Sequence, residues 1–192
     1  MQHQQRRTRP DAGWVQHKKT LPTGPNGRGL CRKCEQEVPV GRRTFCSDDC
    51  VHGWKIETDP GYVRQCLFRR DHGVCSLCGV DTIELQLRLV AELLGYTRPP
   101  TWAWQRFPYW QPSRMQLDFL AWLGIPWHRL STSLWDADHI VPVVEGGGCC
   151  GLENFRTLCI PCHKRETAAL RRRLKEQRRE RQESQDAVPN FA

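Results

Sequence analysis

Four polar residues towards the end of the chain have side chains that can hold a divalent ion and move a proton. Asp138 and His139 are adjacent, 14 residues separate His139 from Asn154, and eight separate Asn154 from His163. Asp138 offers a carboxylate oxygen and His163 an imidazole nitrogen, which leaves positions open on an ion for phosphate and water. His139 must point to the other side of a strand from Asp138. With an unperturbed pKa of about 6.5, its imidazole suits a general base.

The segments around these residues predict a β-hairpin followed by a helix. Asp138 and His139 start an apolar stretch, IVPVV, that predicts the first strand, and EGGGCCG predicts a loop. Asn154 leads into FRTLC, which predicts the second strand. Strong helix formers follow without a breaker, so we expect a helix from near Pro161 towards residue 180, with His163 at its start. Such a unit can bring the first strand and the helix start together.

The cysteines give a second, independent signal. The chain has 11 cysteines, and eight of them form four tight pairs. We find no signal peptide, so the pairs indicate metal coordination rather than disulfides. Two pairs supply the four thiolates of a tetrahedral zinc site. The two predicted zinc knots are Cys31, Cys34, Cys46 and Cys50, and Cys75, Cys78, Cys159 and Cys162.

Three stretches of the chain resemble the HNH, or ββα-metal, endonucleases: FCSDDCVHGWKIETDPGYVR, DHGVCSLCG and WDADHIVPVVEGGG. The spacing His-x14-Asn-x8-His recurs in that family, and cysteine pairs often bracket it as a structural zinc site. The stretches are similar to the HNH modules of the zinc-finger Ran-binding-domain annealing helicases and of prokaryotic HNH proteins. The resemblance covers roughly residues 30–170.

This resemblance implies an α+β fold, with a ββα-metal (HNH) nuclease core, two four-cysteine zinc knots and a helical insertion. It implies hydrolysis of DNA to 5′-phosphate and 3′-hydroxyl ends, with one catalytic Mg²⁺ or Mn²⁺ besides two structural Zn²⁺. Asn154 would hold the loop after His139 in register or, as in some relatives, touch the catalytic ion. Some members have a further histidine four residues after the helical ligand, where this chain has Thr167. The alternative is an inactive zinc-knot module that binds DNA or acts as a scaffold.

Composition, cysteine spacing and the HNH resemblance together divide the chain into four predicted segments. Residues 1–30 are basic and rich in Pro and Gly, so we expect them to be disordered or ordered only on a partner. A four-cysteine zinc-finger module follows at 31–58, and the HNH domain at 59–170 contains a helical insertion at 79–135. The insertion holds an aromatic stretch, RPPTWAWQRFPYWQP, that could pack between helices or stack on bases. Residues 171–192 form a basic helix and tail.

Helix caps can be identified at four positions in these segments. Ser47 is placed to cap a helix that runs through Trp54, and Asp59 caps another with Pro60 at its first position. Asp81 with Glu84, and Ser113 with Gln116, have capping-box spacing ahead of apolar helical periods. The predicted elements therefore alternate short turns with short helices.

The charge distribution favours a polyanionic partner. The formal net charge is +8, from 29 Lys and Arg against 21 Asp and Glu, and both ends of the chain are basic. Neutralising phosphate releases counterions, so DNA is the expected partner, although solubilising tails would have the same composition. No apolar run has the length of a membrane span, and we expect an intracellular protein, cytoplasmic in a prokaryote or nuclear in a eukaryote. Candidate phosphate contacts are Arg156, Lys164, Arg165, Arg171, Arg172 and Arg173.

Overall fold

A computed structural model describes residues 22–95 and 112–186. These residues fall into two compact units, the first formed by 22–72 and 137–157 and the second by 73–95, 112–136 and 158–186. Most of the predicted disordered segment lies outside the described residues, as do nearly all of the aromatic stretch and the end of the C-terminal tail. In the part of the chain that is described, no helix is both long and apolar enough to cross a membrane.

The first unit begins with a tight turn that the sequence assigned to the disordered segment. Thr23 pairs with Gly29 and Leu30 with Glu37 in isolated antiparallel bridges. Glu37 also accepts hydrogen bonds from the backbone and side chain of Asn26, at 2.7 and 2.6 Å. Residues 22–30 are thus ordered against the first cysteine pair. The small polar residues, Pro and Gly that form this turn are also typical of disordered segments, so the composition predicted disorder here.

Two helices follow in the first unit, α1 (Asp48–Thr58) and α2 (Pro60–Asp71). Their predicted caps are confirmed: Ser47 accepts from the Cys50 N–H, and Asp59 accepts from the Tyr62 N–H with Pro60 at the start of α2. Apolar residues that the two helices contribute to the interior are Trp54, Ile56, Val63, Cys66 and Leu67. Cys66, which belongs to none of the four cysteine pairs, is among these buried residues.

The second unit has a core built from the helical insertion. Its helices α3 (Thr82–Leu94) and α4 (Arg114–Trp122) begin at the predicted caps, Asp81 and Ser113. The Ser113 and Gln116 capping box is complete, and a 3₁₀ helix spans Trp127–Ser131. The buried core residues are Leu89, Val90, Leu120, Ile125, Leu130 and Leu134.

The two strands form one sheet, and the first of them is displaced from its predicted position. Strand β1 covers Trp135–His139 and pairs with β2, Phe155–Cys159. The prediction for FRTLC is confirmed, whereas IVPVV is a loop containing a short 3₁₀ helix at Val143–Glu145. Pro142 has no N–H to give a ladder, and Ile140, Val141 and Val144 are exposed. Asp138 and His139 therefore end a strand rather than begin one.

Helix α5 (Ile160–Asp186) starts directly after β2 and confirms the predicted long helix.

The compact units do not coincide with the predicted segments. The first unit continues through α2 to His72 and takes residues 137–157, whereas the predicted module ended at residue 58. The difference arises because α2 packs against the other elements of the first unit, including the 3₁₀ helix at Leu152–Asn154, which no local pattern reveals.

Candidate functional site

Asn154 organises the loop that follows β1. Its side-chain oxygen accepts the Val141 N–H at 2.8 Å, and its amide nitrogen donates to the carbonyls of Val141 at 3.1 Å and Gly147 at 3.0 Å. Its backbone carbonyl accepts the Ile140 N–H at 2.8 Å. The amide nitrogen also lies 3.3 Å from the sulfur of Cys150. One asparagine thus fixes both ends of the loop immediately after His139.

Gly147 makes this arrangement possible because the loop backbone approaches it closely. A Cβ atom at Gly147 would lie 1.7 Å from the Val141 carbonyl oxygen and 2.8 Å from the Asn154 amide nitrogen. Gly146, next to it, has a backbone φ of 97°, which residues with a side chain rarely adopt. The glycine run in the sequence therefore serves close packing of the loop and not only flexibility.

His139 ends β1 with its ring against Phe155. The two ring centroids are 4.3 Å apart, and the Nε2 atom of His139 is buried. Arg70, at the end of α2, supports the neighbouring backbone by donating to the carbonyls of Leu152 at 3.2 Å and Phe155 at 2.8 Å. Arg70 therefore holds the backbone of Phe155, the residue on which the His139 ring packs.

The Asp138 carboxylate pairs with Arg156 within the first unit. The Nε and a terminal nitrogen of Arg156 each lie 2.9 Å from the same oxygen, Oδ2 of Asp138. Both side chains are mostly buried, at 19% and 17% exposure for Arg156 and Asp138. Arg156, which the sequence analysis selected as a phosphate contact, is thus engaged with a predicted metal ligand.

His163 lies in the first turn of α5 in the second unit, where it meets an aspartate that the sequence analysis did not select. Its Nδ1 atom is 3.1 Å from Oδ2 of Asp136, and Oδ1 of Asp136 accepts from Arg129 at 2.8 Å. Burial would raise the pKa of Asp136, but the bonds from His163 and Arg129 outweigh it and lower the pKa to about 2. Asp136 is therefore a carboxylate at neutral pH.

Asp136 had a recognisable signal in the sequence. It stands two residues before Asp138, and residues i and i+2 of a strand share one face. The signal was hidden because the first strand was predicted to begin at Asp138, which left Asp136 outside it. Arg129 lies in a 3₁₀ helix whose role depends on tertiary contacts, and no spacing rule points to it.

The eight paired cysteines form two clusters of the predicted membership. In the first cysteine cluster (Cys31, Cys34, Cys46, Cys50) and the second (Cys75, Cys78, Cys159, Cys162), the four sulfur atoms lie within 4.8 Å of one another. The sulfurs of Cys34 and Cys46 are 3.4 Å apart and those of Cys78 and Cys159 3.7 Å. A tetrahedron with Zn–S bonds of ~2.3 Å has edges of ~3.8 Å. Both clusters fit a zinc ion.

Backbone N–H groups lower the pKa of one thiol in each cluster and so favour the thiolate, the form that binds metal. Burial would raise the pKa of the Cys31 thiol, but backbone N–H groups, first that of Cys34, lower it to about 6. The pKa of the Cys75 thiol is likewise lowered to about 6 against burial, chiefly by the N–H groups of Cys159 and Cys78. In the first cluster, hydrogen bonding with Cys50 and Cys34 raises the pKa of Cys46 to about 12. Each cluster thus has a thiolate-forming cysteine beside thiols that a metal must deprotonate.

Comparison with known proteins places this arrangement in a family. Residues 127–169 match the family model of the HNH endonucleases. The mouse protein "DNA annealing helicase and endonuclease ZRANB3" is 32% identical over 177 residues, which cover 83% of this chain. The chain belongs to the HNH endonuclease family. The HNH segment, residues 127–169, contains Asp138, His139, Asn154 and His163 together with Asp136.

Two further matches involve the human relative. Human "DNA annealing helicase and endonuclease ZRANB3" is 32% identical over 176 residues, covering 82% of this chain. The chain spans about 14% of the length of the mouse and human proteins. The crystal structure of the human ZRANB3 HNH domain is 32% identical in sequence to this chain. The match covers 64% of this chain and 97% of the crystallised domain, with a TM-score of 0.41.

The five predicted phosphate contacts on α5 are all exposed, and some of them also make contacts within the fold. Lys164 donates to the Gly124 carbonyl at 2.8 Å, and Arg165 lies 3.4 Å from the Cys162 sulfur. Arg171, Arg172 and Arg173 are exposed on α5. Helix α5 therefore presents a basic surface.

Proposed function

We propose that this protein is a metal-dependent HNH endonuclease that hydrolyses DNA phosphodiester bonds. The observation that carries the proposal is the HNH match over residues 127–169, in which every motif position holds a chemically competent residue. A degenerate module would be expected to have lost at least one of Asp138, His139, Asn154 and His163. The hydrogen bonds of Asn154 and the ordered surroundings of His139 also support an intact site.

In this proposal His139 is the general base. Its neutral imidazole accepts a proton from the attacking water. Asn154 keeps the backbone after His139 in place through its bonds to Val141 and Gly147. Phe155 packs on the imidazole ring and limits its rotation.

Asp138 and His163 are the proposed ligands of a catalytic Mg²⁺ or Mn²⁺. When bound, such an ion neutralises a non-bridging phosphate oxygen and the leaving oxygen. One carboxylate oxygen and one imidazole nitrogen are suitable donors, and the His163 side chain keeps 35% exposure, so its ring remains accessible. Arg156 holds the Asp138 carboxylate in place.

Two structural Zn²⁺ ions complete the proposed cofactor set, one in each cysteine cluster. The sulfur distances support this assignment, and so does the position of each cluster between a tight turn and a helix start. The exposed arginines of α5 are the proposed contacts to DNA phosphates.

Purified protein should be incubated with plasmid, branched and single-stranded DNA in Mg²⁺ or Mn²⁺, with EDTA as the control. We expect cleavage of at least one DNA form, abolished by EDTA, with 5′-phosphate ends that a ligase can join. Asp138→Ala should lose cleavage and regain part of it in excess Mn²⁺. If the wild type binds these DNAs but cuts none of them with either ion, the protein is a binding module and the proposal fails.

A further inference from the structure

We propose that Asp136 is a positioning residue that sets the tautomer and ring orientation of His163. The inference rests on the proposed function only in assigning His163 to a metal ion. Its structural basis lies entirely within the second unit, where Asp136, Arg129 and His163 form a hydrogen-bonded chain. Asp136 belongs to neither the His-x14-Asn-x8-His spacing nor the cysteine clusters.

The contact between Asp136 and His163 determines which ring nitrogen carries the proton. Nδ1 of His163 lies 3.1 Å from Oδ2 of Asp136. A carboxylate can only accept a hydrogen bond, so the nitrogen facing it must be the donor. In a neutral imidazole the other nitrogen then has its lone pair available. Nε2 of His163 is therefore the nitrogen whose lone pair can bind a metal.

Asp136 can impose this choice because its own position is fixed from the opposite side. Arg129 donates to Oδ1 of Asp136 at 2.8 Å, and also to the backbone carbonyls of Ser133 at 2.9 Å and Trp135 at 3.1 Å. Two main-chain carbonyls thus orient the guanidinium that donates to the carboxylate. The side chains of Arg129 and Asp136 are only 24% and 23% exposed, which limits competition from water.

A carboxylate on the non-ligating nitrogen of a histidine is the usual arrangement around protein-bound metals. It orients the ring and makes the ligating nitrogen more basic, and its loss typically weakens metal binding about 10-fold to 100-fold. His163 projects from the first turn of a helix, so its ring could otherwise rotate about its side-chain torsions. Asp136 would remove that freedom before an ion arrives.

The most direct test is ¹⁵N NMR of the His163 ring in zinc-loaded protein without added Mg²⁺ or Mn²⁺, at a pH where imidazole is neutral. The signals are assigned by their loss in His163→Gln. A free neutral imidazole prefers its proton on Nε2, so we expect wild-type His163 to show the opposite, Nδ1–H form. Asp136→Ala should shift it towards Nε2–H, while Asp136→Asn, which keeps an acceptor oxygen, should preserve part of the Nδ1–H form. A wild-type ring protonated on Nε2 would overturn the proposal even if no variant folds.

Mn²⁺ titration of the same zinc-loaded proteins provides the second readout. Asp136→Ala should raise the Mn²⁺ dissociation constant about 10-fold to 100-fold, with a smaller rise for Asp136→Asn. Asp118→Asn is the matched control, since Asp118 is exposed on α4 and pairs with Arg114. Equal Mn²⁺ affinities in folded wild type and Asp136→Ala would refute the positioning role. Because neither readout uses cleavage, an inactive wild type with the Nδ1–H ring would reject the proposed function and leave this inference intact.

Discussion

The two cysteine clusters are built on the same local design and differ in how far along the chain each one reaches. In both, the N–H of the first cysteine bonds to the carbonyl five residues later, Gln36 at 2.7 Å and Val80 at 2.9 Å. In both, the second cysteine pair stands at a helix start. Cysteines whose sulfurs make contact between the two halves are 12 residues apart in the first cluster and 81 apart in the second.

Loop length alone does not explain what this difference means for stability. The entropy of closing a loop grows with the logarithm of its length, so the second cluster costs only about 2 kcal/mol more to close. Burial differs more, since three of four cysteines in the second cluster are buried against one in the first. Leu158 and Val80 pack with the second cluster. The first cluster therefore organises a local module, whereas the second belongs to the interior from which α5 and His163 extend.

The largest effect should come from breaking the second cluster. Structural zinc sites contribute about 10 kcal/mol or more to the folding of small domains, so Cys159→Ser should unfold the second unit and release its zinc. Elemental analysis should find about two zinc ions in the wild type and about one in this variant. Circular dichroism should record a large loss of helix.

Cys46→Ser is the matched variant in the first cluster. It should also lose one zinc ion, but exchange of amide hydrogens should increase within residues 22–72 and remain slow in α3 and α4. Wild-type protein with less than one zinc, or equal loss of structure in both variants, would show that the contrast between the clusters is wrong.

A smaller effect should distinguish the helices that leave the two clusters. Helix α1 begins with Asp48 and Asp49, whereas α5 carries exposed arginines. Changing Arg171, Arg172, Arg173, Arg178 and Arg179 to Gln should weaken binding to all DNA sequences and lower the salt slope by about one for each phosphate that is no longer neutralised. Arg88→Gln with Arg114→Gln, on α3 and α4, is the control. An unchanged salt slope in the α5 variant would assign its arginines to solvent.

The smallest predicted effect concerns a single backbone position in the two turns. Gly79 has a φ of 73° with open space where a Cβ would lie, and the equivalent residue of the first cluster is Glu35, with a φ of 62°. A left-handed conformation costs a side-chain-bearing residue about 1–2 kcal/mol. Gly79→Ala should therefore destabilise the second turn by that amount, while Glu35→Gly should stabilise the first by about 1 kcal/mol or less. Amide hydrogen exchange in each turn measures the two changes in stability. A stabilised second turn in Gly79→Ala, or a destabilised first turn in Glu35→Gly, would contradict the shared design.

Features set by neighbouring residues were predictable from the sequence. Helix caps such as Ser47 and Asp81 act within one turn, and the cysteine pairs carry their ligand geometry in their spacing. Those features gave the helix starts, the membership of both clusters and the HNH resemblance.

Features set by distant contacts were not predictable in the same way. The apolar letters of IVPVV indicated a strand, but Asn154 uses the backbone groups of this stretch to hold a loop. The charge of Arg156 is visible in the sequence, but its pairing with Asp138, 18 residues away, is not. Arg129 was not identified because its role depends on tertiary contacts, and Asp136 was not identified because the first strand was predicted to begin two residues after it.

The proposed endonuclease activity is tested most directly by cleavage and DNA affinity measured together for His139→Ala. Without a general base the cleavage rate should fall about 10²-fold to 10⁴-fold, while the dissociation constant for DNA stays within about twofold of wild type, because the proposed phosphate contacts lie on α5. His128→Ala, an exposed histidine in the same HNH segment, is the matched control and should cleave at the wild-type rate. If His139→Ala cleaves as fast as wild type, the catalytic assignment is wrong.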